Sequence, residues 1–124
     1  DATFLDELGG CCIYATLKDY IRLGIFALDQ GKLKNGEQVL PSNWIKDSTK
    51  ASKANKYYGY QWWLGGRPYK SYSAQGVFGQ LIWIDPPTQT VIAMHSAWDK
   101  AWTLEAEQHK NALLTAIMIK LYNL

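Results

Sequence analysis

Apolar and polar residues alternate along the first third of the chain with the period of an α-helix. Thr16 followed by Asp19 resembles a capping box with a shortened acid, and Gly31 stands where a helix-ending glycine is common. Between them, apolar residues recur every three or four positions: Leu17, Tyr20, Ile21, Ile25 and Leu28. The pattern predicts an amphipathic helix.

A second, shorter helix is predicted after a turn at Asn35 and Gly36. In the segment VLPSNWIKDSTKA, Ser42 has the side chain of a good N-cap. We expect this helix to carry Trp44 and Ile45 toward the core.

The middle of the chain changes to runs that are typical of β-strands. The segment YYGYQWWL, residues 57–64, is dense in aromatic residues and ends at Gly65 and Gly66, which indicates a strand. A short strand is predicted over Tyr72 to Ala74. Apolar runs at Leu81 to Ile84 and Val91 to His95 flank DPPTQT, and they predict an antiparallel hairpin with both faces largely covered.

A last helix is predicted from about Thr103 to Leu121. Its apolar stripe needs a sheet to cover, and consists of Leu113, Leu114, Ile117, Met118 and Leu121. The order of elements predicts an α+β fold, in which an antiparallel sheet is covered by helices and the last helix packs on a sheet face.

Composition narrows the class of protein. The 124 residues are 48% hydrophobic, too many for a disordered chain, and no apolar run approaches the roughly 18 residues of a membrane span. A net charge of +2 is too small to indicate nucleic-acid binding by itself.

The sequence leaves the cellular compartment open. No export signal is visible, and the adjacent Cys11 and Cys12 fit two buried thiols better than a strained disulfide or a zinc site.

A complete catalytic set is missing from the sequence. No Ser has a Lys three residues later, no Tyr has an Asn two residues later, and there is no G-x-S-x-G motif. Neither His95 nor His109 has a second ligand at metal spacing. Structural roles are favoured for both histidines, and His95 is the better functional candidate because the loop SAWDKAW follows it.

Two sets of side chains suggest a binding module instead. Lys46, Lys50, Lys53 and Lys56 would form a basic stripe for a polyanion if the second helix extends, although a solvated face is the favoured interpretation. The aromatic cluster from Tyr57 to Trp63 would suit stacking on sugars or bases, although packing is favoured.

Gly76 and Gly79 stand three residues apart at the mouth of the predicted hairpin. Glycines in such a place indicate that the backbone bends or that another group approaches it closely. Both interpretations point to a site.

Two long segments resemble one family. GGCCIYATLKDYIRLGIFALDQGKLKNGEQVLPSNWI, and YYGYQWW followed by SAQGVFGQLIWIDPPTQTVIAMHSAW, are similar to the penicillin-binding-protein and class C β-lactamase superfamily of serine hydrolases. The resemblance runs from Gly9 to about Trp98 and is strongest to the esterase and 6-aminohexanoate-oligomer hydrolase branch. Taken together the motifs are specific, although each is weak singly.

The resemblance implies that residues 1–124 are the C-terminal fragment of a single domain with a β-lactamase/transpeptidase-like fold. The nucleophilic Ser, its Lys and the activating Tyr would lie upstream, so a second polypeptide holding the N-terminal part is expected. The substrate would be a small-molecule or peptide-like acyl compound, and no cofactor or metal is implied. A periplasmic or exported location is suggested by the resemblance alone.

The same resemblance places site residues. The superfamily's third motif, K-T-G or H-x-G, falls on Ala74, Gln75 and Gly76, and the backbone N–H of Val77 would be one oxyanion-hole donor. Gly76 would let the substrate carbonyl lie against the strand. Because Ala74 replaces the Lys or His that would anchor a β-lactam's carboxylate, an esterase, amidase or peptidase is favoured over a β-lactamase.

Further expectations concern single residues, one strand edge and the alternative functions. Trp98 and Trp102 would either shape an acyl or leaving-group site or cap the sheet. Gly79 would let the strand bend or pack closely, and a structural role is favoured for Gln80. An inner edge strand, either Tyr72 to Ala74 or Leu81 to Ile84, would be exposed in this chain alone. Alternative functions are a silent homologue that binds peptide or peptidoglycan-like ligands, and an aromatic and basic module for glycans or nucleic acid.

Overall fold

The computed structural model describes residues 13–65 and 70–123, so the predictions that involve Cys11, Cys12 and Gly66 lie outside the described residues. Helices and strands follow one another in the predicted order. They are α1 (Leu17–Leu28), α2 (Trp44–Ser48), β1 (Trp63–Leu64), β2 (Tyr72–Gln75), β3 (Leu81–Asp85), β4 (Thr90–Met94) and α3 (Leu104–Tyr122), with a 3₁₀ turn at Pro86–Thr88. The predicted α+β class with an antiparallel sheet is confirmed.

The four strands form one antiparallel sheet in the order β1-β2-β3-β4. β1 pairs only with the first half of β2, so Ala74 and Gln75 are paired to β3 alone. Of the predicted exposed edge, Tyr72 to Ala74, only Ala74 is paired on one side, because Tyr72 and Ser73 pair with both neighbouring strands and are buried. The alternative at Leu81 to Ile84 is wrong, because β3 is paired on both sides and is buried along its whole length.

One face of the sheet carries the main core and is covered by α1. Ala27 and Ile45 pack there with Tyr72, Ile82 and Ile84. α1 approaches so closely that a Cβ on its Gly24 would overlap Val91 of β4. The Tyr72 hydroxyl donates to the Ala27 carbonyl at 3.3 Å, and burial raises the pKa of Tyr72 to about 12.

α3 lies on the opposite face of the sheet. Adjacent residues of a strand point to opposite faces, so this face carries the strand residues that alternate with those of the main core. Tyr122 donates to Asp85 Oδ2 at 2.8 Å, and Lys110 of the same helix reaches Gln75. Thr103 caps α3 by accepting from the Ala106 N–H. The predicted last helix is confirmed, but its stripe is only partly covered, since Leu113 is 48% exposed.

The first helix is capped as predicted, because the Asp19 N–H donates to the Thr16 hydroxyl oxygen at 3.2 Å. The Thr16 hydroxyl and the Arg22 guanidinium both donate to Asp19, and these bonds hold the pKa of the Asp19 carboxyl below its usual range. Leu17 and Ile25 of the predicted apolar stripe are nevertheless 46% and 44% exposed.

Two local predictions are wrong. α2 begins at Trp44 with Asn43 as its N-cap rather than Ser42, and Trp44 is 46% exposed while Ile45 is buried. The aromatic segment 57–64 is a tight reversal rather than one strand, because the Gly59 N–H donates to the Trp62 carbonyl and Tyr58 bridges Trp63.

Candidate active site

A five-residue turn between β2 and β3 carries the two glycines that the sequence singled out. The Gly76 N–H donates to the Gln80 carbonyl at 2.8 Å, and the Gly79 N–H donates to the Gly76 carbonyl at 3.1 Å. Gly79 has a φ of +89°, a conformation that favours glycine. The chain bends at Gly79, as predicted.

A second segment, the loop 95–103 between β4 and α3, is bonded to this turn through the backbone. The Trp102 N–H donates to the Val77 carbonyl at 2.8 Å, and the Trp98 N–H donates to the Phe78 carbonyl at 3.2 Å. Both carbonyls at the tip are therefore occupied by the loop. The Val77 N–H donates to no group among the described residues, and Val77 is 62% exposed.

The side chain of Gln75 is held at both of its polar atoms. Its Nε2 donates to Ser73 Oγ at 2.9 Å, and its Oε1 accepts from Lys110 Nζ at 2.8 Å. Lys110 is only 6% exposed and forms an ion pair of 2.9 Å with Glu107. Ala74, on the opposite side of the strand, is half-buried beside the main core.

Sequence reasoning missed Lys110, although a signal was present. Lys110 stands at the helical spacing of Leu114, Ile117 and Leu121, which places a charge in the apolar stripe of α3. A charged side chain in such a stripe needs a buried partner. Gln75 and Glu107 are those partners here.

The two tryptophans of the loop have different surroundings. The indole of Trp98 is half-buried and lies against Gly79, and Lys110 Nζ is 5.9 Å from its ring centroid. Trp102 is 58% exposed and has a left-handed φ of +36°. Trp98 therefore packs on the turn, while Trp102 leaves its ring open to solvent beside Val77.

Neither histidine lies in the turn. His95 is exposed and makes an edge-to-face contact with Tyr20, with ring centroids 4.9 Å apart. His109 is also exposed, on α3. Within residues 13–65 and 70–123, no group of three or more His, Cys, Asp or Glu side chains is placed to hold a metal ion.

The side chains that suggested a binding module do not form one surface. α2 ends at Ser48, so the four lysines do not share a helix face, and Lys50 forms an ion pair with Asp47 at 2.6 Å. The aromatic rings of Tyr58 and Trp63 pack edge to face on each other, 4.8 Å apart. These contacts favour packing over stacking on a ligand.

Comparison with known proteins gives a consistent result. A family model described as Beta-lactamase matches residues 4–117. The chain is 28% identical over 120 residues to a 6-aminohexanoate-dimer hydrolase of Paenarthrobacter ureafaciens. It also superimposes, with a TM-score of 0.73 and 26% identity, on a Bacillus anthracis protein described as a 6-aminohexanoate-dimer hydrolase.

These matches cover most of this chain and a small part of its relatives. The alignment spans 86% of the chain but 29% of the Paenarthrobacter protein, and the superposition spans 89% of the chain but 30% of the Bacillus protein. The expected resemblance and the β-lactamase-like fold are confirmed. In the described part of the chain, no helix has both the length and the apolar character needed to cross a membrane.

Proposed function

Because the chain belongs to the Beta-lactamase family, we propose that it is part of a serine hydrolase that cleaves amide or ester bonds. A serine in the upstream part of the domain attacks the substrate carbonyl and forms an acyl-serine, while the C–N or C–O bond breaks and the amine or alcohol leaves with the proton that the serine gave up. Water then attacks the acyl-serine and releases the acid, so the serine is regenerated. A lysine and a tyrosine from the same upstream part activate the nucleophile.

This chain supplies one wall of the active site, with Gly76 and the Val77 N–H at its centre. The observation that supports this role most directly is the exposed Val77 N–H, which has no acceptor among the described residues, at the end of a strand whose edge is open. An oxyanion beside Gly76 would meet this donor and the nucleophile's own N–H. One such donor typically contributes a factor of about 10² to 10³ in rate.

The residues around the turn favour a linear acyl substrate over a β-lactam. Ala74 has no charge to bind a carboxylate, as the sequence predicts, and Gln75 has both polar side-chain atoms engaged. Val77, Phe78 and Trp102 are 62%, 41% and 58% exposed, and they offer an apolar surface for an acyl or leaving group. Trp98 supports this surface from behind.

The remainder of the fold is expected to cover α1 and the open end of β2. Leu17, Leu23 and Ile25 are each more than 40% exposed on α1, and the chain spans less than a third of the relatives it matches. We therefore propose that residues 1–124 are the C-terminal part of one domain. The N-terminal part, in the same or a second polypeptide, completes the sheet edge and brings the nucleophile.

A fluorophosphonate probe followed by denaturing intact-mass spectrometry tests the proposal on the protein as purified. One adduct on the polypeptide that carries the upstream part, with this 14.1 kDa chain unmodified where the two are separate, is the expected result. An upstream part without an adduct would overturn the hydrolase and support the silent homologue. A lone unmodified 14.1 kDa species would overturn the fragment assignment.

A further inference from the structure

We infer that Lys110 is a positioning residue for the five-residue turn 76–80, and thereby for the Val77 N–H. Only the catalytic consequence of this inference rests on the proposed function. The positioning itself follows from two contacts of one buried ammonium group, with Gln75 directly before the turn and with Trp98, whose ring packs on Gly79.

The ammonium group of Lys110 is fixed by three different partners. Its Nζ lies 2.8 Å from Gln75 Oε1, 2.9 Å from Glu107 Oε2 and 5.9 Å from the centroid of the Trp98 ring. Burying a charge costs free energy unless it is paired, so a lysine that is 6% exposed must keep these partners. Its position therefore constrains theirs.

The first constraint acts where the turn begins. Gln75 is the last residue of β2 and directly precedes Gly76, and β1 does not reach this far. The strand end is consequently paired on one side only. The bond from Lys110 holds the Gln75 side chain, whose Nε2 in turn donates to Ser73 two residues earlier.

The second constraint acts where the turn ends. The indole of Trp98 lies against Gly79 on one side and near the Lys110 ammonium on the other. The backbone N–H of the same Trp98 donates to the Phe78 carbonyl. Lys110 therefore contacts the start of the turn through Gln75 and its end through Trp98.

Simple anchoring of α3 is the competing explanation, and the two make different predictions. Tyr122 already ties the end of α3 to Asp85 at 2.8 Å, twelve residues after Lys110. If Lys110 only anchored the helix, its loss would loosen the whole domain evenly. If it positions the turn, its loss must loosen the turn more than α1.

Amide hydrogen exchange measured by NMR, on the protein as purified with any partner polypeptide, separates these cases. We expect Lys110→Met to accelerate exchange of the Gly76, Gly79, Trp98 and Trp102 amides about tenfold more than exchange of the α1 amides. The matched control Lys120→Met, an exposed lysine on the same helix, should leave the ratio unchanged. Equal acceleration in the turn and in α1 would overturn the inference.

Substitutions at Gln75 provide a second route if Lys110→Met does not fold. Gln75→Leu removes the bond while Lys110 keeps Glu107, and should produce the same selective acceleration. Gln75→Glu, whose carboxylate can pair with Lys110, should restore protection. Unchanged exchange in Gln75→Leu would also overturn the inference.

The effect on catalysis is measured in a separate experiment. In the protein with its upstream part, we expect Gln75→Leu to lower kcat about tenfold or more with little change in KM, because the oxyanion donor acts mainly in the transition state. Selective acceleration of exchange with unchanged kcat would retain Lys110 as the positioning residue and remove Val77 from the oxyanion hole. The two hypotheses therefore fail on different measurements.

Discussion

Gly79 lies directly against the indole ring of Trp98, so that a Cβ at this position would overlap Cε2 and Nε1 of the ring. The same residue has a φ of +89°. Gly79 is thus required both for its backbone conformation and for the space that it leaves.

Replacing two different glycines separates the energetic cost of the backbone conformation from the cost of the close contact with Trp98. Gly36 has the same φ of +89°, and no atom beyond its own and the two adjacent residues lies within 4 Å of where a Cβ would be, so Gly36→Ala reports the cost of the conformation, about 1–2 kcal/mol. We expect Gly79→Ala to lower the free energy of unfolding by clearly more, because Trp98 must also move. Chemical denaturation measures both, and equal losses would contradict the close contact.

Removing the backbone N–H at residue 77 should slow the reaction of the proposed hydrolase. Val77→Pro deletes the donor, and we expect kcat to fall about 10²-fold to 10³-fold in the protein with its upstream part. Val77→Ala keeps the N–H and shortens only the side chain, so kcat should stay within a few-fold of the parent and any lost apolar contact with the substrate should appear in KM. Exchange of the Trp102 amide, which bonds to the Val77 carbonyl, checks that the turn is intact. A fully active Val77→Pro variant would remove this donor from the mechanism.

Tyr122→Phe should destabilise the fold by about 1–3 kcal/mol, because it withdraws a donor from a buried carboxylate. Asp85 is 0% exposed, and its Oδ1 has no hydrogen-bond partner among the described residues, so the carboxylate depends on donors to Oδ2. Tyr14→Phe, at a residue that is 95% exposed, is the matched control. Thermal unfolding compares them, and similar midpoints for both variants would argue against the bond.

Stability should fall in alkali because of Tyr72. Burial favours the neutral phenol and raises its pKa from 10.0 to about 12 in the folded protein. As the pH rises, the unfolded chain loses this proton at a lower pH than the folded protein does. The stabilisation of the folded state by the neutral phenol is therefore fully present below pH 10 and is lost between pH 10 and 12. We expect Tyr72→Phe to have a shallower decline of unfolding free energy over that range. Parallel declines would contradict the shift.

The parts of the fold that local pattern determines were predicted well. Periodicity and capping identified α1, periodicity identified α3, and two apolar runs identified the hairpin of β3 and β4. The segment 57–64 was predicted wrongly because its aromatic content favours a strand, while the contacts that reverse the chain at Gly59 and Tyr60 include one with the distant Ser48 carbonyl. A Cβ at Gly59 would overlap the carbonyl oxygen of Ser48, which lies eleven residues earlier in the chain.

The site was predictable only in part, for a related reason. The two glycines indicated the turn, because glycine marks backbone that bends or is closely approached, whereas Val77 was assigned only through the family resemblance. The bond between Gln75 and Lys110 joins residues 35 apart, and pattern within one element cannot show which strand a helical lysine meets. The exposure of Leu17 and Ile25 could not be predicted either. Periodicity shows which face of a helix is apolar, but not whether another part of the chain packs against that face.

The backbone bonding between the turn and the loop 95–103 also affects how such a site can evolve. Trp98 and Trp102 hold the tip through their main-chain N–H groups, so the side chains of Val77 and Phe78 take no part in these bonds. Substitutions at those two exposed positions can change the shape and polarity of the surface while the backbone of the tip keeps its place. In the proposed hydrolase, mutations at Val77 and Phe78 would therefore alter substrate specificity without displacing the Val77 N–H.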